Sequence, residues 1–162
     1  MTTETLNVYR TAPIVGEPAP SFNLPSTKNL ETLEEHVKLE DFRGRWLVFF
    51  FWPYDFTNVC PTEIIAFSDH SDAFDELDCS IVGASTDSVY THKAWIQTPR
   101  DNRGIGDIRY PMASDFTKET ARAYGVLDEK DRRRPPGTVH HRPGRHPPLP
   151  GRDRYERRPK RR

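Results

Sequence analysis

The chain has 162 residues and a mass of 18.8 kDa, room for one sizeable core but cramped for two full domains. Its 24 Lys and Arg balance 24 Asp and Glu, which argues against a chain-wide basic nucleic-acid binder, and no run of about 18 apolar residues is present to cross a bilayer. Residues 1–16 lack the cationic start and apolar stretch of a signal peptide, and two cysteines, Cys60 and Cys79, cannot build a disulfide framework and suit a reducing, cytoplasmic setting.

Thr11 to Pro25 carries Pro13, Pro18, Pro20 and Pro25 and reads as an extended lead-in, because prolines this dense disfavour helix and central strand alike. Val37 to Phe42 precedes a turn at Gly44. Trp46 to Phe51 (WLVFFF) follows, apolar on both faces, as expected of a central strand covered by helices on each side; Pro53 ends it. After a loop through Asn58 a helix pattern begins with Pro61 at its first position and runs through Ile64, Phe67 and Phe74. Ser80 to Ser85 reads as the next strand, Ser88 to Ile96 as a short helix, and Asp115 to Tyr124 as another, with Asp115 as N-cap and Gly125 just past its end. Strands alternating with helices indicate an α/β fold with a partly parallel sheet.

The charge balance conceals a break near residue 130. From Asp131 to Arg162 there are twelve Lys or Arg against three acids, a net of +9, so the other 130 residues carry 12 basic and 21 acidic side chains, a net of −9. The same 32 residues hold seven of the fifteen prolines and only Val139, Leu149 and Tyr155 of the hydrophobic set. Too little apolar surface is available there to offset the entropy of ordering, so the tail is expected to be disordered.

The chemically informative stretch is Pro53 to Glu63 (PYDFTNVCPTE), between the central strand and the next helix. Cys60 at that helix start would meet unpaired N–H groups and the positive end of the helix dipole, which favour a thiolate. Thr57 can place a hydroxyl beside the sulfur, able to donate to it and to touch a bound oxygen substrate, and Pro53 would wall the site. A lone cysteine at a helix start is otherwise read as a small buried hydrophobe; these neighbours favour the reactive reading. Cys79, with nothing cationic beside it, reads as a partly buried structural thiol. His36, His70 and His92 show no ligand spacing and are expected on the surface or in loops, with no metal role. Trp95 and Phe49 to Trp52 are expected in the core and pocket wall.

Pro53, Thr57 and Cys60 form the P-x-x-x-T-x-x-C signature of the peroxiredoxins, and FFFWPYDFTNVCPTEI resembles the alkyl hydroperoxide reductase, or typical 2-Cys, branch. VGEPAPSFNL, IVGASTDSVYTHKAW and YPMASDFTKETARAYGVL extend the resemblance over residues 13 to 130. It implies a thioredoxin-like, three-layer α/β/α fold and a thiol peroxidase in antioxidant defence, needing no metal, haem or flavin. It implies Cys60 as the peroxidatic nucleophile, Thr57 and Pro53 as shapers of the peroxide pocket, and Glu63 in the supporting hydrogen-bond shell. Its implied partners are a hydroperoxide, thioredoxin or a flavoprotein disulfide reductase as electron donor, and a second copy of the chain in a homodimer or larger ring.

Past Lys130 the resemblance stops. The family continues with a strand bearing an arginine, a second antiparallel strand, a closing helix and a resolving cysteine, and none is legible in residues 131–162, so the fold is expected to be C-terminally incomplete with an open sheet edge. Arg132, Arg133 and Arg134 miss the arginine's place, which falls near Pro136. With one extra base after the Asp131 codon, a displaced frame lets Arg132 onward spell GVALRGLFIIDP and Gly144 to Arg161 spell xVIRRYLAVTDMSVGRNV, both like the missing segment. The tail therefore reads as frameshifted. Two alternatives stand beside an active peroxidase: a catalytically dead fragment, and a basic arm that binds nucleic acid or an anionic surface, the latter disfavoured by little aromatic interleaving.

Overall fold

The computed structural model describes residues 13, 15–57, 60–127 and 138–141, with the backbone alone for Cys60 and for 138–141. Two strands, β1 (Asn23–Pro25) and β2 (His36–Lys38), form a small antiparallel hairpin. The main sheet contains β3 (Trp46–Phe51), β4 (Cys79–Ser85), β5 (Met112–Ser114) and β6 (Thr138–His141) in the order β5-β4-β3-β6. Strand β4 runs parallel to both β3 and β5, and β6 runs antiparallel to β3. Among the described residues, four α-helices accompany it: α1 (Cys60–Asp69), α2 (Ser71–Glu76), α3 (Val89–Gln97) and α4 (Glu119–Ala123). Among the described residues no helix is long and apolar enough to cross a membrane.

Side-chain alternation along β3 divides the core into two halves. Leu47, Phe49 and Phe51 pack on one face of the sheet with Phe22, Leu24, Val37 and Tyr124 from the hairpin side and the end of α4. Val48, Phe50 and Trp52 point the other way and meet Ile64 of α1 and Trp95 and Ile96 of α3. The apolar run that suggested a doubly covered central strand is covered on both faces, giving the expected three-layer, thioredoxin-like α/β arrangement. On the α1–α3 side the fit is tight at Gly83. A Cβ at that position would lie 2.6 Å from a Trp52 ring carbon and 2.9 Å from one of Phe50, so only glycine lets both rings cover β4.

Helix boundaries follow local chemistry. The first helix begins one residue ahead of Pro61 and is interrupted at His70, whose backbone leaves helical geometry (φ −101°, ψ 12°) before α2 starts. Ser88 caps α3, its hydroxyl accepting the Thr91 N–H at 3.2 Å. The helix expected from Asp115 is shorter. Residues 115–118 turn, with Lys118 at φ 63°, and the Asp115 carboxylate reaches across to accept the Thr120 and Ala121 N–H groups at 3.2 and 2.6 Å. Asp115 thus serves as the cap from outside the formal capping position. Gly125 ends the element at φ 67°, and the Val126 N–H closes on the Ala121 carbonyl at 3.0 Å.

The reading of residues 131–162 as wholly disordered needs correction over Thr138–His141, which pairs with β3 from Leu47↔His141 to Phe50↔Thr138. The physical reason is that an open β3 would leave a row of N–H and C=O groups unpaired, and strand pairing uses the backbone that any non-proline segment supplies. Composition is blind to that demand. The remainder of the tail, including Arg132, Arg133 and Arg134, and residues 128–130 of the expected domain lie outside the described residues.

Candidate active site

The loop after β3 leaves the C-terminal end of a parallel strand, the place where open α/β sheets hold their ligands, and leads into α1 at Cys60. Its start is tied to the neighbouring strand: the Trp52 N–H donates to Ala84 O at 3.1 Å, and the Thr86 hydroxyl donates to Pro53 O at 3.4 Å. Pro53 is half-buried there. The loop then turns through Phe56 at φ 57°, a left-handed conformation that costs a non-glycine residue on the order of 1–2 kcal/mol. Thr57 closes the turn, its hydroxyl donating to Tyr54 O at 3.2 Å, while the Phe56 ring, half exposed, lies 5.6 Å from that of Trp95.

Beneath the turn is a buried polar cluster. The Asp55 carboxylate accepts the Trp52 indole N–H at 2.8 Å through Oδ1 and lies 2.6 Å from His92 Nδ1 through Oδ2. His92 Nε2 lies 3.2 Å from the Ala113 carbonyl oxygen. The Asp55 backbone N–H donates to Asp87 Oδ2 at 2.7 Å, and Ser85 and Ser114 brace the Asp87 segment. Burial pushes the Asp87 carboxyl above the ordinary carboxylate value, the nearby Asp55 adding to it, while the Asp55 N–H, His92 and Ser85 work against it.

The structure brings Pro53 and Thr57 into one loop and sets Cys60 at the first position of a ten-residue helix. Glu63, by contrast, is exposed on α1, lining a shallow groove with Ala66, Phe67 and Phe74. Cys79 is half-buried at the start of β4, its thiol held above the ordinary value by burial. Trp95 and Phe49 to Trp52 are buried, as expected. His36 and His70 are exposed, but His92 is not a surface or loop residue: it is fully buried on α3. Its position was recoverable, since Val89, His92 and Ile96 fall on one helical face with only His92 polar, a pattern that demands buried partners.

Residues 15–145 match the AhpC/TSA family. The chain belongs to that family. Peroxiredoxin-2 of Rattus norvegicus is 49% identical over 113 residues, covering 70% of this chain and 56% of its own length. A putative peroxiredoxin of Synechocystis is 53% identical over 114 residues, with the same two coverages. The AhpC/TSA chain described here thus spans little more than half the length of these curated relatives. Among solved structures, the reduced 2-Cys peroxiredoxin of Plasmodium vivax superposes with a TM-score of 0.68 at 31% identity, covering 83% of this chain and 76% of that one. AhpC of Mycobacterium tuberculosis gives 0.64 at 32% identity, covering 74% and 75%. These likenesses agree with the peroxiredoxin resemblance carried by Pro53, Thr57 and Cys60 and with the thioredoxin-like fold.

Proposed function

We propose that this AhpC/TSA chain is a thiol peroxidase that reduces hydrogen peroxide and organic hydroperoxides through Cys60. The observation that carries the reading is the seat of Cys60: first residue of α1, at the end of a braced loop, three positions after Thr57. A helix start supplies unpaired N–H groups and partial positive charge, conditions that lower a thiol pKa and raise its thiolate fraction. The thiolate attacks the nearer peroxide oxygen, forming an S–O bond as the O–O bond breaks. Sulfur loses two electrons and becomes a sulfenic acid, and the leaving oxygen takes a proton to depart as water or an alcohol. Since the Thr57 hydrogen is directed to Tyr54 O, its lone pairs are the groups available to receive the hydroperoxide O–H, with Pro53 walling the pocket.

A second thiol then condenses with the sulfenic acid, releasing water and forming a disulfide that thioredoxin or a flavoprotein disulfide reductase reduces. Cys79, half-buried with a raised pKa, is poorly suited to that role. The same reading places the protein in the cytoplasm as a homodimer or higher homo-oligomer. It takes residues 13–130 as the peroxiredoxin domain and 131–162 as the aberrant, frameshifted tail.

Hydrogen peroxide consumption by the full-length chain tests the proposal. The parent and Cys60→Ala are mixed with stoichiometric peroxide and the remaining oxidant is followed. The parent should consume about one equivalent per chain and Cys60→Ala none; equal consumption by the two would overturn the assignment.

A further inference from the structure

The hydrogen-bonded Asp55–His92 pair stands apart from the Arg–Asp salt bridges among the described residues. Arg100–Asp69, Arg109–Asp72 and Arg45–Asp78 are exposed on both sides, whereas the His92 and Asp55 side chains are 0% and 1% exposed. Burying such a pair carries a desolvation cost that well-packed apolar side chains would avoid, so packing alone gives no reason for it. What a fully hydrogen-bonded pair adds is direction. Both His92 nitrogens and both Asp55 carboxylate oxygens have partners, and these come from three separate places: the loop itself through Trp52 and Asp55, helix α3 through His92, and β5 through Ala113 O.

The tied loop needs holding. Phe56 adopts a left-handed backbone directly after Asp55, and such strain persists only where surrounding contacts over-determine it. Asp55 fixes the chain immediately before the strained residue by its carboxylate and by its N–H to Asp87; Thr57 and the Phe56–Trp95 contact fix it immediately after. Two residues beyond Asp55 is Thr57, and five beyond is Cys60.

We infer that Asp55 and His92 are positioning residues for the peroxide site, locking the Pro53–Thr57 loop so that the Thr57 hydroxyl is set before the hydroperoxide arrives. The inference rests on the peroxidase reading for its function, but the mechanical part stands on the geometry of the loop. Reactions between bound groups depend on placement to within about 1 Å, with losses near a hundredfold when it fails.

The test compares two reactions of Cys60 in the full chain. Peroxide needs the assembled pocket, whereas iodoacetamide needs only the thiolate. In His92→Phe the second-order rate with hydrogen peroxide should fall by about tenfold to a hundredfold while the iodoacetamide rate is unchanged. In His92→Asn, whose side-chain amide can still donate to Asp55, most of the peroxide rate should return. Rates that fall together, or a peroxide rate that does not fall, would overturn the positioning role. Amide hydrogen exchange provides a second readout independent of chemistry: His92→Phe should speed exchange at Asp55, Phe56 and Thr57 and leave β3 and β4 protected. No local change would overturn the inference even if the enzyme slowed. A parent chain reacting with peroxide no faster than a free thiol would instead sink the peroxidase reading, and the exchange experiment would still decide the role of the pair.

Discussion

Asp87 shows how one half-buried carboxyl sets a pH response. Its folded pKa is raised, chiefly by burial, so the folded chain binds its proton more readily than the unfolded chain does. For an acid shifted this way, the stabilising contribution is complete below the ordinary carboxylate value and is lost as pH rises through that value to the folded one. Replacing Asp87 by Asn keeps an oxygen to accept the Asp55 N–H and removes the ionisation. Asp87→Asn should therefore melt higher than the parent near neutral pH and match it well below the carboxylate range; a lower melting temperature at neutral pH would contradict this balance. At this scale the sequence was legible where a short pattern carried the chemistry, as at Pro53, Thr57 and Cys60. It was opaque at Asp55, Asp87 and His92 because their significance lies in contacts 32 and 37 residues apart along the chain, although the helical face of α3 held a clue to His92.

Among the elements, long apolar runs and capped helices were readable from periodicity: β3, β4 and α3 lie within a residue or so of expectation. The three-residue strands β1, β2 and β5 carry too few side chains to show a period, and their pairing is decided by the sheet and hairpin around them. The β4 contact at Gly83 tests the packing of the α1–α3 face. Gly83→Ala pushes a methyl group against Trp52 and Phe50 and should cost about 1–3 kcal/mol, read as a lower denaturant midpoint with an unchanged slope. An unchanged midpoint would mean the two rings can move aside freely. Strand β6 was invisible in the composition of the tail. A chain ending at Leu127 exposes the β3 edge and should both melt lower and aggregate more readily than the full chain; equal stability would contradict a structural role for the Thr138–His141 pairing.

For the molecule as a whole, the question is whether a chain that spans 56% of its relatives' length performs their type of chemistry. Strands β3 to β5, the braced loop and the helix start at Cys60 lie within residues 15–127; under the proposed function the first chemical step is the reaction of Cys60 with peroxide, and resolution needs a further thiol. Capture of the first oxidised product is thus the most direct measurement: the full chain treated with one equivalent of hydrogen peroxide in the presence of dimedone, followed by peptide mass mapping. A dimedone adduct on Cys60, with Cys79 unmodified, is the predicted result. No adduct on Cys60 while peroxide remains unconsumed would contradict the peroxidase account.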